Sequence, residues 1–338
     1  MAERLENVSM ICTVYNEIRG IDNFLQSLAE MTHLPAEIVI VDGCSTDGTT
    51  KKIEEWADRL RTVVPLRLIV DNKSNIRHHP APIAYGRNVA IRQVGQSIIA
   101  ATDAGCTLHP SWLYEITRPL IDDVSIDVVA GWSEPKANGM FEECQAMVGY
   151  RPPATIDPET YLPSSRTIAF RKTIWEKVGG YPEIFLSGED TLFDLRLRKI
   201  GARFAFSPAA IVYWRMRPTM MTFSWLIFRY GFGDGYCGLL LSNCVKNCGK
   251  VGMAILLAAL AIVVSLWFIV PLVLYLWLLP FLYKMREALR IRLLVRYPLI
   301  SLLKIVSDIS YVTGYIKGAM AKKPPQFSKI PDHSGATC

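Results

Sequence analysis

The fold is decided by the stretch VSMICTVYNEIRGIDNFLQSLAEMTHLPAEIVIVDGCSTDGT, residues 8–49. Its first part, 8–16, is apolar enough for a buried strand, and residues 36–42 (AEIVIVD) have the same character. Between them, apolar residues recur at the spacing of one helical face, which predicts a helix over 20–31. Strand, helix and strand in about 35 residues form a βαβ unit, whose two strands are parallel.

The same alternation continues along the first third of the chain. Helices are predicted at 49–60 and 84–93, and strands at 66–71 (LRLIVD) and 97–103 (SIIAATD). This pattern indicates an α/β fold with a mostly parallel sheet and helices on both faces. In such sheets ligands bind at the carboxyl ends of the strands.

Three of the predicted strands end in aspartate, namely Asp42, Asp71 and Asp103. Aspartate is common in turns and at helix N-caps, so each one has a structural explanation. As a row at one edge of the sheet, the carboxylates could instead bind a base or ribose, or hold a divalent cation against a diphosphate. The loop GCSTDGT (43–49) matches neither GxGxxG nor GxxxxGK[ST], which argues against a dinucleotide-dependent dehydrogenase and a P-loop ATPase.

Composition points to a membrane. The chain has 338 residues, 51% hydrophobic and 20% charged, with a net charge of +6. The 33 residues 251–283 carry no charge and are flanked by Lys250 and Lys284. As one helix they would be roughly 50 Å long, against about 30 Å for a bilayer core. The positive charge fits an anionic membrane surface better than nucleic acid, because the basic residues cluster around this segment.

The number of membrane crossings has three possible solutions. A single span over 251–283 places the following arginines outside, against the positive-inside tendency. A hairpin broken near Pro271 returns them, and is the favoured prediction, although each arm is short. A return through 297–318 would carry Lys304 and Asp308 into the bilayer, so an amphipathic surface helix is preferred there.

The N-terminus has no apolar stretch of signal-peptide length, and the eight cysteines form no CxxC pair. We therefore expect a cell-membrane protein with its N-terminal α/β domain on the cytoplasmic side. The block RYGFGDG (229–235) predicts a flexible turn between interfacial helices. The predicted divisions are an α/β domain at 1–215, interfacial helices at 216–250, transmembrane or re-entrant and amphipathic helices at 251–318, and a flexible tail at 319–338.

Several ordered blocks together resemble the family 2 glycosyltransferases, inverting enzymes with the Rossmann-like GT-A fold of nucleotide-diphospho-sugar transferases. The blocks are TVYNE (13–17), VDGCSTDGT (41–49), GRNVAI (86–91), TDAG (102–105), PSSRTIAFRKTIWEKVGGYPE (163–183) and GEDTLFDLRLRKIG (188–201). Each block alone is a weak match, but their order and spacing are specific.

The resemblance implies a nucleotide-sugar site. The residues that it places around the nucleotide sugar are Thr13, Tyr15, Glu17, Asp42, Arg87, Asp103 and Arg166. Arg166 and Arg171 are both candidates for contact with phosphate or acceptor. The family's DxD motif matches Asp103, Ala104 and Gly105, so one carboxylate of the pair is kept. Asp103 is thus the expected ligand for Mg²⁺ or Mn²⁺, with substrate diphosphate and water completing the shell.

The resemblance also implies the catalytic pair. The family's ED motif matches Glu189 and Asp190, with Asp190 in the position of the general base. An inverting transfer needs a carboxylate that takes the proton of the acceptor hydroxyl. The alternative for Asp190 is an N-cap of the helix that follows. No QxxRW block follows the pair, which favours transfer of a single sugar over processive synthesis.

These observations predict an inverting glycosyltransferase of glycan or polysaccharide biosynthesis. It would move a sugar from a nucleotide-diphosphate sugar to a lipid-linked or membrane-proximal saccharide acceptor, with no nucleic acid involved. One alternative is a polyprenyl-phosphate sugar synthase, whose phosphate acceptor needs no strong base. Another is a non-catalytic membrane scaffold with a degenerate transferase domain, which the Gly105 departure would suit.

Overall fold

The computed structural model describes residues 3–149, 152–183, 187–278 and 296–321. The chain divides into two compact units. The first, here called the sheet unit, comprises Met1–Lys136 and Arg151–Arg215. The second, the helical unit, comprises Ala137–Tyr150 and Met216–Cys338.

The sheet unit contains eight described strands and six described α-helices. The strands are β1 (Glu3–Val14), β2 (His33–Asp42), β3 (Leu66–Val70), β4 (Ile98–Asp103), β5 (Cys106–Leu108), β6 (Val128–Lys136), β7 (Thr167–Arg171) and β8 (Phe204–Arg215). The helices are α1 (Ile21–Ala29), α2 (Thr49–Leu60), α3 (Pro82–Gln93), α4 (Trp112–Asp122), α6 (Lys172–Lys177) and α7 (Glu189–Lys199), with 3₁₀ turns at Asn72–Ser74 and Pro153–Thr155.

The strands form one sheet in the order β3-β2-β1-β4-β7-β6-β8-β5. The first four are parallel, as the alternation of the sequence predicts. The second half is mixed, because β7 is antiparallel to both β4 and β6, and β5 is antiparallel to β8. The predicted α/β class is confirmed, with a less parallel sheet than expected.

Both faces of the sheet are covered by helices. In β1, Met10 and Cys12 belong to one core cluster and Ile11 to the other, as the two-residue period of a strand requires. The first cluster packs under α1, α2 and α4, and the second under α3, α6 and α7. This two-sided burial explains why the central strands are almost continuously apolar.

The register places the predicted site residues at one edge. Thr13 of β1 pairs with Val41 of β2 on one side and with Asp103 of β4 on the other. Asp42 is the last residue of β2 and pairs with Val14. The carboxyl ends of β1, β2 and β4 therefore lie side by side, where an α/β sheet binds ligands.

The described helices of the helical unit are α5 (Met140–Gly149), α8 (Met220–Cys237), α9 (Leu241–Val263), α10 (Ile269–Leu278) and α11 (Tyr297–Met320). Helices α8 and α11 pack with their backbones in close contact. A Cβ on Gly231 or Gly235 would overlap the carbonyl oxygens of Tyr311 or Tyr315 of α11. The block 229–235 therefore lies inside a helix, and the predicted flexible turn is wrong.

The uncharged segment is divided between two helices. Helix α9 ends at Val263, a 3₁₀ turn follows at Leu266–Phe268, and α10 contains Pro271 in its first turn. Proline is tolerated there because no intrahelical partner exists for its missing N–H. The helix break thus precedes the position near Pro271 that the sequence suggested.

Two described helices, α9 and α11, are long and apolar enough to cross a membrane, judged by length and composition alone. In α11, Lys304 pairs with Asp308, and both are buried in the helical unit. An amphipathic surface helix, which is the prediction for 297–318, would instead expose these two polar side chains. Residues 279–295, which include the end of the second arm of the predicted hairpin, and the tail beyond 321 lie outside the described residues.

Candidate active site

Two loops at the carboxyl edge hold each other through hydrogen bonds. Asn16, at φ 52°, donates its backbone N–H to Ser45 Oγ at 2.8 Å, and its Oδ1 accepts from Thr46 N at 2.8 Å. The Glu17 N–H donates to Thr49 Oγ1 at 2.9 Å. The blocks TVYNE and GCSTDGT therefore form one rigid rim. The hydroxyls of Ser45 and Thr49 accept the backbone N–H hydrogen bonds that join the two loops.

Asp42 supports this rim from below. The residue is 0% exposed, and its carboxylate accepts from Ser45 Oγ at 2.6 Å and from Thr50 Oγ1 at 2.5 Å. Both carboxylate oxygens of Asp42 thus accept hydrogen bonds from hydroxyl groups of the neighbouring segment. Contact of Asp42 with a nucleotide stays a prediction.

The other predicted residues of the first block are partly exposed at the tip of β1. They are Thr13, Tyr15 and Glu17. Glu17 Oε1 lies 3.9 Å from the position that a Cβ would take on Gly105, so Glu17 and the TDAG block are neighbours. The structure therefore brings these three residues to the same edge as Asp103.

Asp71, the third strand-end carboxylate, has a structural role. Its Oδ1 accepts from Lys73 N at 2.9 Å and caps the 3₁₀ turn, while Oδ2 accepts from the Tyr85 hydroxyl at 3.1 Å. The capping explanation that the sequence left open is the one observed here.

Arg87 lies at the centre of the site and binds three carboxylates. Its Nη2 donates to Asp103 Oδ1 at 2.8 Å, and its Nη1 donates to Asp190 Oδ1 at 2.8 Å and to Glu189 Oε1 at 3.1 Å. The Arg87 side chain is 3% exposed and lies 5.4 Å from the centre of the Tyr181 ring. The structure thus joins four sequence-predicted residues in one cluster.

The two acidic residues of the ED pair differ in protonation. Burial and the adjacent Asp190 carboxylate raise the pKa of Glu189 to about 8, against the opposing effect of Arg87. Burial also acts to raise the pKa of Asp190, but the Arg87 charge and hydrogen bonds from Ser165 outweigh it and lower that pKa. At neutral pH Asp190 is the ionised member, which suits a base.

Asp190 is held in place by the start of α7 and by the segment before β7. Gly188, at φ 92°, occupies the N-cap position, so Asp190 lies in the first turn and is not the cap. The Ser165 N–H donates to Asp190 Oδ2 at 3.1 Å, and the Ser164 hydroxyl lies 3.3 Å from the same oxygen. The carboxylate is therefore fixed from two sides and remains partly exposed.

The residues beside Arg87 explain the GRN block. A Cβ on Gly86 would lie 2.9 Å from both Thr13 Cγ2 and Ser74 Oγ, so any larger residue would force α3 or these side chains to shift. Asn88 Oδ1 accepts from Trp175 Nε1 at 3.1 Å, and Asn88 also binds Tyr181 and Glu183. Sequence reasoning missed Asn88 and Tyr181, although both lie inside the quoted blocks.

The two candidate arginines have different positions. The Arg166 guanidinium carbon lies 4.1 Å from the centre of the Trp214 ring, and its charge contributes to the lowered pKa of Asp190, so Arg166 borders the site. Arg171 lies at the opposite end of β7 and donates to the backbone oxygens of Leu120, Asp123 and Ile126. Arg171 is thus a structural residue, contrary to its proposed role with phosphate or acceptor.

The capacity for a metal ion rests on Asp103. Among the described residues, no group of three His, Cys, Asp or Glu side chains could hold a metal. Asp103 is 34% exposed; Arg87 binds its Oδ1, and no described residue is hydrogen-bonded to its Oδ2. One carboxylate oxygen fits a hexacoordinate Mg²⁺ or Mn²⁺ whose remaining ligands are phosphate oxygens and water.

Residues 9–177 match the family model described as "Glycosyl transferase family 2". This region is half of the chain, and the chain belongs to that family. The prediction made from the ordered blocks is therefore confirmed at the level of the family.

Two curated relatives have similar sequences. Succinoglycan biosynthesis protein ExoA of Rhizobium meliloti is 28% identical over 229 residues, which cover 64% of this chain and 66% of that protein, just under two thirds. Glycosyltransferase AglE of Haloferax volcanii is 24% identical over 223 residues, which cover 64% of this chain and 70% of that protein.

A solved structure has the same fold. It is the mannosyltransferase PcManGT from Pyrobaculum calidifontis, in complex with GDP-Man and Mn²⁺. The TM-score is 0.61 at 18% identity, and the match covers 90% of this chain and 87% of that chain. The likeness confirms the predicted GT-A fold.

Proposed function

We propose that the protein is an inverting glycosyltransferase that uses a nucleotide-diphosphate sugar and glycosylates a lipid-linked or membrane-proximal acceptor. Membership of the family and the names of two relatives, one a glycosyltransferase and one a succinoglycan biosynthesis protein, support a role in glycan assembly. The donor, the acceptor and the membrane location are part of the proposal.

One observation carries it: Asp190, partly exposed at the start of α7, is bound to the same guanidinium as Asp103. An ionised base and a carboxylate that can hold a cation against the diphosphate thus lie on either side of one charge. Attack opposite a diphosphate leaving group uses a base at the acceptor and positive charge at the leaving group, which this arrangement can supply.

In the proposed reaction, the acceptor oxygen forms a bond to the anomeric carbon of the donor sugar. The bond from that carbon to the diphosphate oxygen breaks, and its electron pair leaves with the nucleoside diphosphate. Asp190 takes the acceptor proton as the new bond forms. Glu189, neutral near pH 7, stays hydrogen-bonded to Arg87 and adds no charge that would repel the diphosphate.

A divalent cation is part of the proposal. The structural neighbour was solved with GDP-Man and Mn²⁺. In this chain Asp103 would hold Mg²⁺ or Mn²⁺ through its second oxygen, with the substrate diphosphate and water. Such a cation stabilises the negative charge that develops on the leaving group.

The helical unit supports membrane attachment. Helix α9 has 23 residues with a mean hydropathy of 1.6, and only 6% of its apolar window is buried. At about 1.5 Å per residue it is roughly 34 Å long, close to a bilayer core. We propose that this unit anchors the protein in the cell membrane with the sheet unit on the cytoplasmic side, which protease protection in sealed vesicles would test.

The detergent-solubilised protein should be screened with GDP-mannose, UDP-glucose and UDP-N-acetylglucosamine, with and without Mn²⁺, for release of nucleoside diphosphate. We expect one donor to be consumed when a membrane extract supplies the acceptor. The Asp190→Asn variant should bind that donor normally and lose at least about 100-fold in kcat. An undiminished kcat with a bare polyprenyl phosphate would favour the sugar synthase, and absence of binding to every donor would favour the scaffold.

A further inference from the structure

Arg87 binds both Asp103 and Asp190 and is less exposed than either of them. Its side chain is 3% exposed, whereas those of Asp103 and Asp190 are 34% and 24% exposed. A ligand that enters the site therefore reaches these carboxylates before it reaches the guanidinium.

We propose that Arg87 is a positioning residue that acts through Asp190, and not by contact with the nucleotide as the family resemblance implies. The inference rests on the proposed function. Arg87 holds Asp190 Oδ1 at 2.8 Å, and the Ser165 N–H holds Oδ2 at 3.1 Å. Together they fix the direction in which the base presents its carboxylate to an acceptor hydroxyl.

The position of Arg87 is itself rigid. On one side of it, Gly86 packs against Thr13 with no space for a Cβ. On the other side, Asn88 is bound to the backbone of Tyr181 in both directions, at 2.8 Å each. The orientation of the base is therefore set by β1 and by the turn after α6, both of which belong to the sheet unit.

The same guanidinium links the base to the leaving-group end. Its Nη2 donates to Asp103 Oδ1, which leaves Oδ2 for the cation that would bind the diphosphate. Arg87 thereby keeps two carboxylates at a fixed spacing, and acceptor activation and leaving-group departure occur on one rigid frame. Precise spacing of this kind is worth large factors in rate.

The test uses four variants of the full-length protein in detergent: Arg87→Lys, Arg87→Gln, Asp190→Asn and the double variant Arg87→Gln/Asp190→Asn. The probe is whichever of GDP-mannose, UDP-glucose or UDP-N-acetylglucosamine the wild type turns over, with Mn²⁺. Both kcat and the donor KM are measured. For Arg87→Gln we expect kcat to fall about 100-fold, near the effect of losing the base, with donor KM within about threefold.

Two further results are expected. Arg87→Lys should recover about tenfold of the lost kcat, since lysine restores the charge as a single point contact without the planar fork. The double variant should have the kcat of Asp190→Asn within about threefold, because residues that act as a unit are not additive.

Arg171→Gln is the matched control. It also removes an arginine with several hydrogen bonds in the sheet unit, but at the opposite end of β7, so it should lower Tm and leave kcat unchanged. Melting curves are recorded for every variant. If Arg87→Gln does not fold, Arg87→Lys carries the comparison with the wild type.

A rise of tenfold or more in donor KM with kcat intact would overturn the proposal and favour direct contact with the nucleotide. Fully additive losses in the double variant would also overturn it. A wild type that turns over none of the donors would contradict the proposed function and this inference together, whereas an active wild type with unaffected Arg87 variants would contradict the inference alone.

Discussion

Asn88 and Tyr181 are joined by two hydrogen bonds in opposite directions. Asn88 Nδ2 donates to the Tyr181 carbonyl and Asn88 Oδ1 accepts from the Tyr181 N–H, both at 2.8 Å. The Asn88 amide thus pairs with the Tyr181 backbone as another peptide group would. Glycine is needed at position 180, because a Cβ there would lie 2.8 Å from Asn88 Oδ1. The helix that carries Arg87 is thereby connected to the turn before the ED pair.

Replacement of Asn88 by alanine should therefore destabilise the sheet unit. The buried Tyr181 amide and the Trp175 indole N–H would lose their acceptor, at a cost of about 3 kcal/mol in the free energy of unfolding. Chemical denaturation of Asn88→Ala measures this, with Asn23→Ala on the exposed face of α1 as the control. Equal stability of the two variants would contradict the structural role of Asn88.

The raised pKa of Glu189 predicts a pH dependence of stability. Its ordinary pKa is 4.5, and in the folded protein it is about 8. The folded state thus binds a proton that the unfolded state has released, so stability falls as pH rises from about 4.5 to about 8. Glu189→Gln removes this loss, and between pH 6 and pH 9 its Tm should gain at least about 2 °C on the wild type. Glu176→Gln, an exposed residue of α6, should show no such gain.

Asp103 should determine the demand for a divalent cation. Removal of metal with EDTA should abolish turnover, and Mn²⁺ should restore it. In Asp103→Asn the Mn²⁺ concentration for half-maximal activity should rise at least about tenfold, since the amide carries no charge for a hard cation. Asp122→Asn, which loses only a surface ion pair with Arg118, is the control. A variant with wild-type Mn²⁺ dependence would remove Asp103 from the proposed cation site.

The glycines of α8 should be indispensable to the helical unit. A Cβ on Gly235 would overlap the backbone of Tyr315, and a helix backbone cannot rotate out of the way as a side chain can. Gly235→Ala should therefore disrupt the packing of α8 on α11 and lower Tm by several degrees in detergent. A Cβ on Gly252 of α9 would meet nothing within 4 Å, so Gly252→Ala should be neutral or stabilise the protein by up to about 1 kcal/mol. Both changes add one methyl group to a helical glycine, so equal melting would refute the close contact.

The first half of the sheet was predictable from local pattern. Helix α2 begins and ends where the sequence placed it, at Thr49 and Leu60, and β2 to β4 match the predicted apolar runs within three residues. Strand β1 begins at Glu3, five residues before the predicted start. The later strands were not ordered by any such pattern. Strand β7 inserts next to β4 although about 64 residues separate them in sequence, and only tertiary packing decides its antiparallel direction.

The residues of the site were predictable from the sequence, but the contacts between them were not. The ordered blocks supplied Arg87, Asp103, Glu189 and Asp190, but the contact of Arg87 with Asp190 spans 103 positions. Gly231 and Gly235 suggested a turn because glycine lowers helix propensity. Their partners, Tyr311 and Tyr315, lie 80 residues away, and no local rule reveals such an approach.

The close contact of α8 with α11 also sets an order of events during synthesis. About 83 residues separate Gly235 from Gly318, the last glycine of the contact. At about 5–20 residues per second, a ribosome needs roughly 4–17 s to make them. The sheet unit is complete at Arg215, so it can fold during that delay, while the glycine face of α8 lacks its partner until α11 has been synthesised.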